Sequence, residues 1–218
     1  MANPQNGKLA ESIFFKTGWF ILTSAAVFLF ATTLLYFWFY NDPTYNFLGA
    51  KPEVAQDPFW KTSFWIHITG GAIALITGPI QFVGAFRNRF LKFHRNLGKA
   101  YLVGILIIGG PAGLFMAFYA NGGFWGSLGF CILSLLWMVT TFKAYEEIRK
   151  KNLKAHKDWM TRSFALTFSA VTLRTWVPLL SVGFGVEHDI VIVSTAWLSW
   201  IPNIIIAELI IRLFPSRL

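Results

Sequence analysis

Histidine is the side chain in this sequence best suited to chemistry, and two of the four, His94 and His156, stand in matching surroundings. His94 lies in "FLKFHRNLGKAY" and His156 in "AHKDWMTRS"; each follows a basic cluster and each leads into a long apolar run. A neutral imidazole binds transition metals through one ring nitrogen, and its second nitrogen is oriented by whatever it hydrogen-bonds. Two imidazoles at one depth on two helices are the smallest set that can hold a haem iron from both sides. Gly98, one helical turn after His94, leaves space beside the ring, and Tyr101 follows on the same face. Trp159 and Met160 follow His156, while Arg95, Lys99 and Arg162 could meet propionate groups. The same positions would also suit two histidines that bind lipid phosphate or cap their helices.

These residues need elements to position them, and composition says what kind. Of 218 residues, 55% are hydrophobic, 18% aromatic and 13% charged. A soluble domain carries about 25% charged residues, so lipid is the expected solvent. Six apolar runs, near 18–40, 62–83, 97–119, 125–145, 160–183 and 190–212, reach the roughly 20 residues a helix needs to cross a hydrocarbon core. An all-α, polytopic membrane bundle of six transmembrane helices follows, in one domain covering 1–218. The first run begins too late and extends too far for a cleaved signal peptide, and is expected to remain as an anchor. The segment 41–61, rich in Pro and Asp, reads as an external loop.

The net charge of +9 does not point to nucleic acid, because the cations form no single basic face. They cluster between apolar runs instead. Arg87, Arg89, Lys92 and Arg95 separate the second and third runs, and Arg149, Lys150, Lys151, Lys154 and Lys157 the fourth and fifth. Arg212 and Arg217 follow the sixth, and Lys8 and Lys16 precede the first. All fall on one side of a six-span topology, which the positive-inside rule makes cytoplasmic, with both termini. The single cysteine, Cys131, lies within an apolar run and implies neither a disulfide framework nor a cysteine metal site.

Further polar residues fall at membrane depth, where they usually face a bundle interior or a cavity. On the second run His67, Gly71, Ala74, Gly78 and Gln81 recur at steps of three and four, so they share a face. That face suits either close helix contact through small residues or a slot for a flat ligand. On the fifth run His156, Met160, Ser163, Thr167, Ala170 and Arg174 form a comparable face. Arg174 is expected to point toward protein, since an isolated arginine among acyl chains costs several kcal/mol. On the sixth run Asn203 shares a face with Trp200, and Glu208, near the cytoplasmic boundary, is expected to pair with a basic residue. His188 is expected to be solvated in an external loop.

The stretches "WIHITGGAIALITGPIQF", "HRNLGKAY", "AHKDWMTRSFALTFSAVTLR" and "WIPNIIIAE" together resemble a family of predicted bacterial membrane proteins of unknown function, from about Ser63 to Glu208. The resemblance implies a multi-span inner-membrane protein. It falls on His67, Gln81, His94, Arg95, Gly98, Tyr101, His156, Trp159, Met160, Arg162, Arg174, Asn203 and Glu208. A looser likeness is to the transmembrane ascorbate-reducible cytochromes b, in which histidines on alternate helices pair across each of two haems. His94 and His156 fit one such pair. His67 has no histidine partner on the fourth run, "FWGSLGFCILSLLWMVTTFKAY", so the likeness carries over one haem site.

Three functions stay open on these residues. The first is a b-type haem redox protein, with His94 and His156 as iron ligands, exchanging electrons with a quinol or a partner membrane subunit. The second is a non-catalytic structural or lipid-binding subunit. The third is a metal-dependent membrane enzyme using His94, His156 and a carboxylate such as Glu208 or Asp158.

Overall fold

Six helical stretches in the structure, a computed structural model that describes residues 4–39 and 57–214, are long and apolar enough to cross a membrane. They are Thr17–Leu35, Pro58–Gln81, Leu91–Ala117, Gly123–Arg149, Leu153–Gly183 and His188–Leu213. The described residues contain no strand.

The first span lies within α1 (Pro4–Phe39). The second is α2 (Pro58–Gln81), which starts four residues before the apolar run. Asp57 is the cause: its carboxylate accepts the Phe59 and Trp60 N–H groups at 2.8 and 2.9 Å, and Pro58 supplies a first-turn residue that needs no donor. Residues 58–61 therefore leave the expected 41–61 loop and join the helix; residues 40–56 lie outside the described residues. A short helix, α3 (Gly84–Arg89), bridges to α4 (Leu91–Val103). The third and fifth spans begin six and seven residues ahead of the hydropathy boundaries, because their basic first turns are helical although they are not apolar.

Prolines shape the long spans. After α4 the third span widens into a π-helical turn, Gly104–Gly109, before α5 (Gly110–Ala117). Pro111 has no N–H to return to the preceding turn, and the Gly110 N–H instead reaches back to the Ile105 carbonyl. The fourth span is one helix, α6 (Gly123–Arg149). The fifth comprises α7 (Leu153–Thr167), α8 (Ser169–Pro178) and a second π turn (Leu179–Gly183) that follows Pro178. The sixth comprises α9 (His188–Leu198) and α10 (Ile201–Leu213), broken just before Pro202.

From the second span onward, the connections at 82–90, 118–122, 150–152 and 184–187 are too short to recross a membrane, so neighbouring spans run antiparallel. The starts of α4 and α7 and the end of α10 share one end, here termed the basic end. The α6–α7 hairpin is the most extensive pairing, and α2 lies among α1, α4, α5 and the first π turn.

Glycine sets the closest approach. A Cβ at Gly70 of α2 would sit 2.4 Å from both the Gly104 carbonyl oxygen and the Gly109 nitrogen. Both obstacles are backbone and neither can rotate away, so this crossing of the second and third spans admits no side chain.

Candidate functional site

His156 lies on the first turn of α7, which Asn152 caps by accepting the Ala155 N–H at 3.2 Å. The turn before it holds Lys151 at a φ of 63°, a left-handed conformation uncommon for a residue with a side chain. That tight reversal folds His156 back onto α6, where its Nδ1 lies 2.8 Å from the carbonyl oxygen of Ala144. A carbonyl oxygen only accepts, so Nδ1 carries the proton and Nε2 keeps its lone pair. This is how protein-bound metals usually receive a histidine.

His94 lies on the first turn of α4, at the same basic end as His156. Its Nδ1 is buried and has no hydrogen-bond partner. Gln81, the last residue of α2, is 8% exposed, and its Nε2 is likewise buried and unpartnered. A Cβ added at Gly98 would lie 3.5 Å from Gln81 Oε1, so the glutamine amide lies against the face of α4 that carries His94. Two unpaired buried polar atoms in one neighbourhood are unusual, since nearly all such groups in native proteins are satisfied.

Tyr101 forms the inner limit of this region. It is fully buried, and its hydroxyl lies 2.9 Å from Ser163 Oγ and 2.8 Å from Thr167 Oγ1 on α7. The backbones of α4 and α7 barely approach one another, so it is the length of Tyr101 that joins the third and fifth spans. Trp137 Nε1 donates to Thr167 Oγ1 at 2.8 Å, Ser163 Oγ meets Thr141 Oγ1 at 2.7 Å, and Thr141 donates to the Trp137 carbonyl at 2.7 Å. The chain of hydroxyls thus begins and ends on Trp137, and no polar atom in it is left over.

Other expected residues go elsewhere. Arg162 turns to the sixth span, where its Nε and one terminal nitrogen meet the two oxygens of Glu208 at 2.5 and 3.0 Å. Its guanidinium also lies over the Trp159 ring, 4.5 Å from the centroid. The expected pairing of Glu208 with a basic residue is therefore present, and the partner that would have met a propionate is already engaged. Arg95 and Lys99 remain exposed at the basic end. Asn203 Nδ2 lies within 3.2 Å of the Ala165 carbonyl, Thr172 Oγ1 and the Ser199 carbonyl, tying α10 to the fifth span and to the end of α9.

At the opposite end His67 Nδ1 lies 2.8 Å from the Gly109 carbonyl, in the π turn, and Ser134 Oγ donates to the adjacent Gly110 carbonyl at 2.8 Å. Gly113 makes room, because a Cβ there would sit 2.6 Å from His67 Nδ1. His67 stands fourteen residues before Gln81 on one helix, roughly 21 Å away at about 1.5 Å rise per residue. It cannot join His94 and His156. The Arg174 side chain is exposed and hydrogen-bonds the Ala170 carbonyl of its own helix at 3.0 Å. The inward orientation expected for Arg174 is not what forms: the guanidinium folds back along α8. His188 is exposed at the start of α9.

No three His, Cys, Asp or Glu side chains converge among the described residues, so a three-ligand metal centre has no donor set there. Sequence reasoning missed the Ala144 carbonyl, Thr141, Trp137 and Ser134. The backbone acceptor leaves no trace in residue identity. The spacing of Trp137 and Thr141, four apart inside an apolar run, is the signal that could have exposed the network.

A family model described as "Predicted membrane protein (DUF2306)" matches residues 64–211. No curated protein and no solved structure matches the chain.

Proposed function

The chain belongs to that DUF2306 family of predicted membrane proteins, and on this premise we propose that it is a redox protein holding one b-type haem between His94 and His156. The observation that carries the proposal is the commitment of the His156 Nδ1 proton to the Ala144 carbonyl, which leaves Nε2 as a ready ligand at the end of the bundle that also holds His94. The residues present fit the group. His94 has an unpartnered ring nitrogen, Gly98 adds no bulk to the face of α4 that carries it, and the α4 and α7 backbones stand apart, bridged deeper in the bundle by Tyr101. Arg95 and Lys99, exposed on α4, are the cations offered to propionates, since Arg162 belongs to Glu208.

A haem so held supplies one-electron chemistry, with its potential set by ligand basicity and burial. The chain's own contribution is to fix two imidazoles and to close the inner side with a fully paired hydroxyl network. The basic end is then cytoplasmic by the positive-inside rule, with both termini on that side. This suits the inner membrane of a bacterium, with a quinol or a membrane subunit as the electron partner.

A second reading, a lipid-binding subunit, has one observation in its favour. An open groove of about 260 Å³ along α10, lined by Ile204, Ile205, Glu208, Leu209 and Arg212, pairs an apolar wall with a cation at the basic end.

The absorption spectrum of protein purified from haem-supplied cells tests the proposal. We expect a Soret band that is lost in His94→Ala and in His156→Ala and kept in His67→Ala. A colourless, folded preparation would overturn it and leave the lipid-binding reading standing.

A further inference from the structure

All three intramembrane histidines present a ring nitrogen to their surroundings, yet only two have that nitrogen satisfied. His67 Nδ1 meets the Gly109 carbonyl and His156 Nδ1 meets the Ala144 carbonyl, each at 2.8 Å. His94 Nδ1 is buried with nothing. Against the same face of α4, 3.5 Å from where a Cβ at Gly98 would sit, lies the amide oxygen of Gln81, a residue more than nine-tenths buried with its own unpartnered Nε2. Gly98, one turn along α4 from His94, is the residue that lets the amide lie there.

We propose that Gln81 is the positioning residue for His94: its carboxamide oxygen accepts the His94 Nδ1 proton and turns Nε2 toward the space shared with His156. The purpose of that bond rests on the haem reading above, but the bond itself does not. The two ends of a carboxamide have nearly the same shape, so exchanging oxygen and nitrogen costs no packing. With the oxygen turned toward the imidazole, the orphaned ring nitrogen gains an acceptor. It gives His94 on α4 the same arrangement that the Ala144 carbonyl gives His156 on α7. A ligand histidine whose second nitrogen is hydrogen-bonded is held in one tautomer and is a stronger donor to a metal. Gln81 comes from α2, so the second span sets the geometry of a site whose ligands lie on the third and fifth.

The test uses full-length protein in detergent or nanodiscs with nitrogen-15-labelled histidine, the His94 signals being identified by their loss in His94→Gln. Without haem, the wild type should show His94 as the Nδ1–H tautomer, and Gln81→Met should release it to a mixture of tautomers. Gln81→Glu, a stronger acceptor, should keep the tautomer and move the Nδ1 proton resonance downfield. Unchanged His94 signals in Gln81→Met would overturn the proposal. If that variant does not fold, an unmoved proton resonance in Gln81→Glu does so. With haem added, Gln81→Met should retain it about 10- to 100-fold more weakly, and Gln81→Glu should restore retention. Wild-type protein that takes up no haem would sink the redox reading alone, because the tautomer measurement still decides the Gln81–His94 bond.

Discussion

The hydroxyl network at the centre of the bundle and the histidine region at its basic end use similar residues and reach opposite outcomes. In the centre Tyr101, Trp137, Thr141, Ser163 and Thr167 form a continuous chain on three spans with every polar atom paired. At the basic end, where His94 lies about two turns from Tyr101 along α4, His94 Nδ1 and Gln81 Nε2 of α2 are buried and unpaired. A bundle that needs only stability does what the centre does, because an unsatisfied polar group in an apolar medium costs free energy. Single buried atoms are also left open at Thr23, Trp60 and Ser199; the basic end brings two to one face of α4.

Substitutions sort along that contrast. The largest effect belongs to the closed region: Gly70→Val drives its side chain into the Gly104 and Gly109 backbone and should cost about 3 kcal/mol or more. Size-exclusion chromatography should show the variant aggregated at temperatures where the wild type is monodisperse, and a normally folded variant would contradict the crossing described.

Tyr101→Phe opens the network without touching the histidines. It should lower stability by about 1–2 kcal/mol, read as a shifted denaturation midpoint in detergent, while the haem spectrum stays as in the wild type. A lost spectrum with unchanged stability would mean that the phenol serves the site and not the packing.

Lys151→Gly should gain about 1 kcal/mol, because glycine adopts the left-handed turn before α7 without the clash a side chain brings. A destabilised variant would show that the Lys151 side chain matters to the turn more than its backbone does.

The smallest effect should come from His94→Leu, which gives up the one hydrogen bond proposed to Gln81 and buries an apolar side chain in its place. The stability of the haem-free protein should change by no more than about 0.5 kcal/mol, while the haem of the proposed site is lost. A loss larger than that of Tyr101→Phe would show that the basic end is held as tightly as the hydroxyl network and would erase the contrast between the two regions.

Much of the arrangement was legible in residue identities. Six spans followed from hydropathy, since a helix must be apolar over about 20 residues to cross lipid. Span starts were read too late at Pro58, Leu91 and Leu153, because a capped or basic first turn is helical without being apolar. His94 and His156 stood out through their matched surroundings. Arg162 and Arg174 were assigned by depth alone, and depth does not say what a long side chain meets. Arg162 found Glu208, forty-six residues away in sequence, and Arg174 turned back to Ala170 on its own helix.

The sequence by itself thus determined the solvent, the number of crossings and the end at which two histidines gather, because those depend on local composition and on the parity of spans. Only the tertiary structure decided which ring nitrogen of His156 is free, that Tyr101 bridges the third and fifth spans, and that Gln81 of α2 lies against the face of α4 that carries His94. Each of those depends on a backbone carbonyl or a helix from elsewhere in the chain. A carbonyl is common to every residue, so no pattern of side chains announces which one a histidine will meet.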